Sequence, residues 1–367
     1  MAENRKKKKQ QKLPWWITPV ILLAVLAIRL GGEALGRGFQ WLSDSQTSES
    51  AITAQKVPSD ETLTVRFLDV GQGDSILLAC GDETMLIDGG PVEEGQFLVS
   101  RLNRLDVTEL TYVVNTHPDE DHCGGLAAVL AKYPAEHVYS SVTEYTTKVF
   151  SNVVKYADEQ GHPVEVPQTG DSWTLGSASV QVIGPVQTYS DPNNGSLVLR
   201  VDYGGTSFLF TGDMEQKAET DLMSSGANVQ ADVLKAGHHG SPTSSSEAFL
   251  EAVAPSIAVI SVGEDNDYGH PSADVLARLE ALGATIYRTD TQGEIIITSD
   301  GQTLTVTTDP TSREPAAGKD APFIGNRNSM IVHSANCAKL PGEDNRVYFN
   351  TAEEAEEYGY QKHTCIK

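Results

Sequence analysis

The chain has 367 residues, 39% of them hydrophobic and 21% charged, a composition that excludes disorder throughout and allows one large globular domain with a smaller one. Its formal net charge is −23. The first thirteen residues nevertheless carry six Lys or Arg against one Glu, a balance of +5 that leaves −28 for the remainder. The two parts of the chain are therefore expected to face different environments.

The basic segment 1–12 is followed by an apolar run that continues to Ile28. Positive charge before an apolar run is typical of a membrane-insertion signal whose basic end stays in the cytoplasm. The run is shorter than the about 20 residues that a spanning helix needs, but it extends further if Arg29 snorkels to the interface. We therefore expect a single-pass signal anchor at 13–35 in the cell membrane, a polar linker at 43–61, and an extracellular carboxyl-terminal part. A cleaved signal, which would release a secreted protein, and a buried core helix are the alternatives.

Alternating and periodic hydrophobic patterns follow the linker. Strands are predicted at 63–68, 75–79, 84–87, 112–115, 197–203, 208–211 and 233–236. Helices are predicted at 96–105, 126–132, 149–160, 215–223, 247–254 and 273–282. The pattern indicates mixed sheets flanked by helices, an α/β (α+β) domain over 62–308, followed by a linker at 309–322 and a small α+β unit at 323–367.

Metal-binding side chains are concentrated in one predicted strand-to-helix loop. Within six positions the loop contains His117, Asp119, Asp121 and His122. The alternative is a polar turn with two exposed histidines, but His-x-Asp-x-Asp-His is more specific than a lone pair of ligands. Asp213 follows a second buried strand, and the adjacent pair His238 and His239 follows a third.

Taken in chain order, these motifs resemble those of the metallo-β-lactamase superfamily over residues 62–308. Within it, Phe67–Ser75, Lys235–Ser241 and Tyr268–Ser272 are similar to the soluble hydrolase domain of ComEC-type competence proteins. The resemblance implies a four-layer αβ/βα sandwich and a metal-dependent hydrolase. The superfamily often has histidine where this chain has Asp119, and the oxygen-rich set makes Mn²⁺ a competitor of Zn²⁺.

The resemblance also implies two divalent metal ions with a hydroxide between them as the nucleophile. His117 and Asp119 are expected to hold one ion, Asp121 and His122 the other, with Asp213 between the two. Adjacent side chains rarely point the same way, so one of the paired histidines is expected to bind metal. We assign His239 to the metal and His238 to catalysis with Asp121, where it would steady phosphoryl charge or protonate the leaving group. The two histidines could exchange these roles.

Further residues are candidates for supporting roles. Asn194 is either a metal or substrate contact or part of an ordinary Asn-Asn-Gly turn. Ser241 either receives a phosphate or caps a helix, and His270 either lines the pocket or is structural. Asp88 is expected to orient a ligand histidine, and Asp69 either does the same or belongs to a turn.

The segment 323–367 resembles the small zinc-binding domain of the DNA-repair protein Ada. Its four candidate zinc ligands are His333, Cys337, His363 and Cys365. The family pattern ends in Cys-x2-Cys, whereas this chain has His-x-Cys, and a disulfide between Cys337 and Cys365 is the alternative outside the cell. Cys80 and Cys123 are expected to be buried thiols.

The sequence thus predicts an exported, membrane-tethered two-metal phosphodiesterase, above all a nuclease that acts on extracellular DNA beside DNA-uptake machinery. A net charge of −28 outside the basic tail opposes a polyanionic substrate unless metals and a local basic patch compensate. The alternative substrate is a small phosphoester or a cell-surface phosphodiester. The alternative of another class is a non-catalytic DNA- or surface-binding module.

Overall fold

The computed structural model describes residues 61–264, 266–313 and 319–366. The predicted basic tail, the signal anchor and almost all of the first linker lie outside these ranges. Within them, the helices are all too short or too polar to cross a membrane.

The structure contains two seven-stranded sheets and a smaller third sheet. The strands are β1 (Leu63–Phe67), β2 (Ile76–Cys80), β3 (Glu83–Ile87), β4 (Leu110–Asn115), β5 (Ala135–Ser140), β6 (Ser172–Leu175), β7 (Ala178–Gly184), β8 (Val198–Tyr203), β9 (Thr206–Phe210), β10 (Val233–Lys235), β11 (Ile257–Ile260), β12 (Thr285–Arg288), β13 (Glu294–Ser299), β14 (Leu304–Asp309), β15 (Phe323–Asn326), β16 (Ile331–Ser334), β17 (Arg346–Phe349) and β18 (Gln361–Lys362). The α-helices are Gly95–Arg104, Glu120–Cys123, Leu126–Lys132, Lys148–Gln160, Gln216–Ser224, Glu247–Val253, Ala273–Ala281, Thr289–Gln292 and Ala352–Glu357.

Both large sheets are mixed. The first has the order β14-β13-β1-β2-β3-β4-β5 and the second β12-β11-β10-β9-β8-β7-β6. Strands β3, β4 and β5 are parallel, and so are β9 to β12, whereas the other neighbours in these sheets are antiparallel. Each sheet therefore has one region in which the carboxyl ends of neighbouring strands reach the same edge.

The sheets face each other across an apolar layer. Phe67 of β1 meets Phe210 of β9 there, with ring centroids 6.2 Å apart. Helices cover the outer faces, with Leu126 and Phe150 buried against the first sheet and Phe249 against the second. This arrangement of helix, sheet, sheet and helix confirms the predicted mixed α/β sandwich.

Local chemistry sets the ends of the covering helices. Helix Lys148–Gln160 begins after Thr147, whose hydroxyl accepts a hydrogen bond from Phe150 N (3.3 Å), and ends at Gly161, where φ is 80°. Ser272 caps helix Ala273–Ala281 in the same way. Hydroxyl caps satisfy free amides at a helix start, and glycine adopts the left-handed turn at its end without strain.

The tail forms the third sheet, with the order β17-β15-β16-β18 and its own apolar cluster around Val332, Phe349 and Tyr360. It contacts the sandwich through Arg104, whose guanidinium carbon lies 3.8 Å from the ring centroid of Tyr358. The Ada-like character of this segment stays a prediction.

Candidate metal centre

The predicted ligand loops meet at one edge of the sandwich. Strands β3 and β4 of the first sheet end there, followed by Asp88 and by the loop 117–122. Strands β9 and β10 of the second sheet also end there, followed by Asp213 and His239. Because β3 pairs in parallel with β4, and β9 with β10, their carboxyl ends lie side by side. Residues far apart in the sequence are brought together in this way.

The loop 117–122 is held against two turns, one after β1 and one after β3. Asp74 N donates to the carbonyl of Asp121 (3.1 Å), and Gly89 N donates to the carbonyl of His122 (2.7 Å). At Gly73, where φ is +140°, a Cβ atom would overlap the carbonyl oxygen of Asp121. Glycine at this position therefore permits the close approach on which the place of Asp121 depends.

Asp88 fixes the orientation of His122. Its carboxylate accepts hydrogen bonds from Thr116 N (2.7 Å), Thr116 Oγ1 (2.6 Å) and Asn115 Nδ2 (3.1 Å). Its Oδ2 lies 2.9 Å from His122 Nδ1. With Nδ1 engaged, the Nε2 atom of His122 faces the other ligands. Asp88 makes the contact that its predicted orienting role requires.

Four side chains bring their ligand atoms within 4.8 Å of one another: Asp121, His122, Asp213 and His239. His122 Nε2 lies 3.2 Å from Asp213 Oδ1 and 3.3 Å from His239 Nε2. His239 Nε2 lies 3.3 Å from Asp121 Oδ2 and 3.4 Å from Asp213 Oδ2. His239 Nδ1 donates to the carbonyl of Ser261 (2.8 Å), so Nε2 is the nitrogen that faces the group. Of the two adjacent histidines, the structure places His239 in the candidate ligand set.

His117 and Asp119 lie beside this group. The His117 ring is fully buried, and its centroid is 4.1 Å from that of His122. Its Nε2 has no hydrogen-bond partner among the described residues and lies 3.8 Å from Asp119 Oδ2. The Asp119 side chain is 37% exposed, so this half of the site opens to solvent. An unpartnered imidazole nitrogen next to a carboxylate suits one further cation.

Without bound metal, the positive charge of protonated His122 and His239 balances part of the negative charge of the carboxylates. Burial disfavours the charged imidazole, but the carboxylates, Asp213 first, outweigh burial and raise the pKa of His122 and His239 well above the usual range. Burial and the neighbouring His122 lower the pKa of His117 to about 4. Metal binding at this group therefore has to displace protons.

Two charged residues that the sequence reasoning missed complete the centre. Lys235 is 1% exposed, and its Nζ lies 2.5 Å from Asp74 Oδ2. Asp74 Oδ1 lies 3.4 Å from His239 Nδ1. Burial opposes ionisation of Asp74, but Lys235, His239 and His122 together outweigh burial, and the pKa of Asp74 falls to about 2. The sequence feature that could have indicated Lys235 is its place at the end of a buried strand, directly before the loop that contains His239.

His238 occupies the rim of the site. His238 and His239 both have left-handed backbone, with φ of 50° and 52°, and their ring centroids are 6.2 Å apart. His238 Nε2 lies 3.7 Å from Asp213 Oδ2, and Nδ1 lies 3.5 Å from Glu215 Oε1. The His270 ring lies 5.6 Å from the His238 ring. His238 and His270 thus lie together beside the ligand group, and their predicted contact with a substrate stays a prediction.

Asn194 and Ser241 are engaged with protein beside the site. Asn194 Oδ1 accepts from Ala218 N (3.2 Å), and Nδ2 donates to Glu215 Oε2 (3.1 Å). Ser241 Oγ lies 2.9 Å from Thr243 Oγ1. The Asn194 amide thus accepts a hydrogen bond from the first turn of helix Gln216–Ser224. Its predicted contact with metal or substrate stays a prediction.

Asp69 lies in a turn away from the ligand group. Its Oδ1 accepts from Gly71 N (3.2 Å) and lies 3.6 Å from Arg313 Nη1. Arg313 also contacts Glu94, with Nη2 2.6 Å from Oε1. Of the two roles expected for Asp69, these contacts are those of the turn residue, which also pairs with Arg313.

The donor set suits divalent metals. Two imidazole Nε2 atoms face each other between carboxylates, and the buried Asp213 Oδ1 has no partner of hydrogen-bond geometry among the described residues, although His122 Nε2 is 3.2 Å away. Unsatisfied buried polar atoms are costly, and a cation would satisfy this one. Nitrogen and carboxylate ligands admit both Zn²⁺ and Mn²⁺.

The tail contains a second candidate group. His333 Nδ1 lies 3.4 Å from Cys337 Sγ, which lies 3.8 Å from His363 Nδ1, and Cys365 Sγ lies 4.0 Å from His333 Nδ1. The ligand atoms of all four lie within 4.8 Å of one another, and both cysteines are free thiols. Two nitrogen and two sulfur donors are typical of a structural zinc site.

The family model of the metallo-beta-lactamase superfamily matches residues 68–264. The chain belongs to this superfamily. ComE operon protein 3 of Bacillus subtilis (strain 168) is 32% identical over 250 residues, which are 63% of this chain and 32% of that relative. Competence protein ComA of Neisseria gonorrhoeae is 34% identical over 281 residues, which are 76% of this chain and 38% of that relative. The chain therefore spans about a third of the length of these curated relatives.

Among solved structures, the metallo-beta-lactamase fold protein YhfI of Bacillus subtilis has a TM-score of 0.43 and 12% sequence identity, and the match covers 68% of this chain and 100% of that one. Membership itself rests on the sequence match. The match confirms the predicted superfamily, and the relatives confirm the likeness to competence proteins. The chain thus combines membership of this superfamily with buried groups of candidate metal ligands.

Proposed function

We propose that this hydrolase is a two-metal phosphodiesterase that cleaves extracellular DNA. The observation that carries the proposal is the ligand group of Asp121, His122, Asp213 and His239, beside which His117 and Asp119 offer a second position. Two adjacent cations suit phosphodiester cleavage, because they neutralise charge on the attacking and the leaving oxygen.

Bound cations supply an activated water and an electrophilic contact for a phosphoryl oxygen. The chain's own residues would hold these cations and orient the ligand atoms toward them. Asp88 and the Ser261 carbonyl each engage the Nδ1 of a ligand histidine, which leaves Nε2 as the ligand atom. Asp213 has one oxygen toward each of the two histidines. On the rim, His238 would steady phosphoryl charge or give a proton to the leaving oxygen.

The likeness to competence proteins supports DNA as the substrate, since the relative from Neisseria gonorrhoeae is named competence protein ComA. The net charge of −23 opposes a long polyanion and favours a small phosphoester as the second candidate. Cations at the centre would offset the acidic residues around the cleaved phosphate but not those elsewhere.

The test is hydrolysis by the full chain after chelation, with Mn²⁺, Zn²⁺ or Mg²⁺ restored separately. Single-stranded DNA, duplex DNA and bis-p-nitrophenyl phosphate are the substrates. We expect metal-dependent cleavage of DNA that is lost in Asp121→Ala, because this carboxylate belongs to the ligand group. Glu120→Ala is the matched control, an exposed acid in the same loop. Circular dichroism checks that both variants are folded.

Each other outcome contradicts a definite part of the proposal. Hydrolysis of the small ester without DNA cleavage would favour a small or cell-surface phosphoester. Binding of DNA without hydrolysis under every metal would favour a non-catalytic binding module. Activity that survives in Asp121→Ala would contradict the assignment of the site.

Export and membrane tethering are also part of the proposal, and they rest on the basic segment and the apolar run at 13–35. Deletion of 13–35 should move the chain from the membrane fraction to the soluble fraction of cells. An unchanged distribution would contradict the anchor. Neighbouring DNA-uptake machinery is the proposed partner, and co-purification with it from cross-linked cells is the corresponding test.

We further propose that the His and Cys group of the tail holds one Zn²⁺. Its mixed nitrogen and sulfur donors meet within the reach of a single ion, and a small sheet gains stability from such a site. Metal analysis of the purified chain would show zinc that remains when the catalytic centre is loaded with Mn²⁺.

A further inference from the structure

A groove with a volume of about 510 Å³ lies beside the metal centre. Its lining includes Pro118, which directly follows the candidate ligand His117, together with Asp191 and Gly195. Its walls come from three loops, at 141–145, 166–169 and 185–192. The volume is within the range of small-molecule sites. A substrate whose phosphate lies at the metal centre could therefore extend into this groove.

The walls of the groove are nearly uncharged. Asp191 is the single acidic residue of the lining, and no Lys or Arg is part of it among the described residues. This differs from the chain as a whole, which has a net charge of −23. Two tyrosines, several prolines and Val166 supply flat or apolar surface, and Tyr145 and Val166 are 36% and 37% exposed. The lining suits an uncharged planar group better than a phosphate.

The tyrosine rings are positioned by contacts outside the groove. Tyr145 packs edge to face on the buried Phe150, with centroids 6.5 Å apart and an interplanar angle of 83°. Tyr189 donates its hydroxyl hydrogen to Asp221 Oδ2 (2.9 Å), and Lys217 Nζ lies 4.4 Å from its ring centroid. Rings held in this way lose little entropy when a ligand stacks on them.

We propose that this groove binds a base of single-stranded nucleic acid next to the phosphate at the metal centre, with Tyr145 and Tyr189 as the stacking surfaces. The proposal rests on the proposed function and narrows its substrate to strands with unpaired bases. Stacking on aromatic side chains is the usual way in which proteins hold such bases. A quaternary ammonium group also prefers aromatic surfaces, but the Lys217 cation on the Tyr189 ring disfavours a second cation there.

The test measures binding separately from cleavage. Short phosphorothioate oligonucleotides, which resist hydrolysis, are titrated into the full chain loaded with Mn²⁺: a single strand, its duplex, and the same strand made abasic. We expect the single strand to bind at least about tenfold more tightly than the other two, as the loss of one stacked base predicts. Tyr145→Ala and Tyr189→Ala should each weaken binding of the normal strand about tenfold, and binding of the abasic strand by far less.

Tyr156→Ala is the matched control, because Tyr156 also carries a lysine over its ring, with Lys155 Nζ 4.5 Å from the centroid, and lies outside the groove. It should bind all three probes as the parent chain does. Equal binding of normal and abasic strands by the parent chain would overturn the groove assignment, and so would equal loss for both probes in the tyrosine variants.

Failure of the groove and failure of the phosphodiesterase are distinguishable. If DNA is hydrolysed but the bases make no difference to binding, the groove proposal is wrong and the enzymatic proposal stands. If bases strengthen binding but no phosphodiester is cleaved, the groove stands and the enzymatic proposal is wrong. Stronger binding of phosphocholine than of the single strand would assign the groove to the ammonium class instead.

Discussion

Removal of the Lys235 charge tests the electrostatic account of the metal centre. Lys235 is buried at the end of β10, and its Nζ lies 2.5 Å from Asp74 Oδ2 and 3.4 Å from the carbonyl oxygen of Gly212. Met has a similar length and no charge, so Lys235→Met keeps most of the packing. It leaves the buried Asp74 carboxylate without its main cation. We expect the protein without bound metal to lose stability mainly for this reason.

The size of the loss follows from the burial of the pair. Breaking a buried ion pair by removing one partner costs about 3–5 kcal/mol. The pKa of Asp74 falls from 3.8 to about 2 in the folded chain, with Lys235 as the largest of the contributions that lower it. At about 1.4 kcal/mol per pKa unit, this net shift corresponds to about 2 kcal/mol, the same order as the cost of breaking the pair. At about 2–4 °C per kcal/mol, the melting temperature should fall by about 10 °C. Asp74→Asn in the same chain should restore much of the loss, because it removes the orphaned charge.

The assay is thermal unfolding of the full chain after chelation, followed by circular dichroism. Lys155→Met is the control, since Lys155 is 55% exposed and its Nζ lies 3.6 Å from Glu159 Oε1; an exposed pair contributes less than about 1 kcal/mol. Because the folded pKa of Asp74 is lowered, its contribution is present above pH 4 and is lost as the pH falls toward 2. The parent chain and Lys235→Met should therefore converge in stability at low pH. Equal melting temperatures for the two lysine variants at neutral pH would contradict the stabilising role of the Lys235–Asp74 pair.

Three other changes test separate parts of the structure. Gly73→Ala should weaken metal binding at least about tenfold and lower the free energy of unfolding by about 2–3 kcal/mol, because its Cβ would overlap the carbonyl oxygen of Asp121. Gly161→Ala is the control, since Gly161 also has positive φ but has open space around it; it should cost only about 1 kcal/mol of stability and leave metal affinity unchanged. Metal affinity should fall as the pH is lowered through neutrality, since cations displace protons from His122 and His239, whose pKa values are raised; calorimetry in buffers of different ionisation enthalpy measures the proton release, and its absence would count against neutralisation by histidine. Cys337→Ser should remove one equivalent of zinc per chain and lower the melting temperature of the tail, while DNA hydrolysis persists; unchanged zinc would contradict the tail site.

Local spacing is enough to indicate the loop of His117 and His122, because its candidate ligands are close in sequence. The same holds for Asp88, which follows a buried strand directly. The pair of Asp74 and Lys235 could not be found in this way, since it forms only when the turn after β1 of one sheet meets β10 of the other. The sequence favours His239 over His238 as the metal ligand but leaves the two roles exchangeable. The Ser261 carbonyl, which engages His239 Nδ1, identifies Nε2 as the ring nitrogen that faces the group.

Helices were predicted closely because their periodicity is local. Helix Leu126–Lys132 has the predicted bounds, and Lys148–Gln160 begins one residue before its predicted start. The strands β13 and β14 were not delimited by the sequence patterns. Strand β13 pairs with β1, which is far away in the sequence, and β14 pairs with β13, so no local pattern determines where these strands lie.

The pairing of β1 with β13 sets the order in which the sandwich can be completed. The two strands are also joined by an ion pair between Arg66 and Glu294, residues separated by 228 positions. During synthesis one edge of β1 therefore has no partner until almost the whole sandwich has emerged. Unpaired strand edges are sites of aggregation, and such distant contacts slow folding. Products that stop before Glu294 would carry an open edge, and we expect them to aggregate or to be degraded.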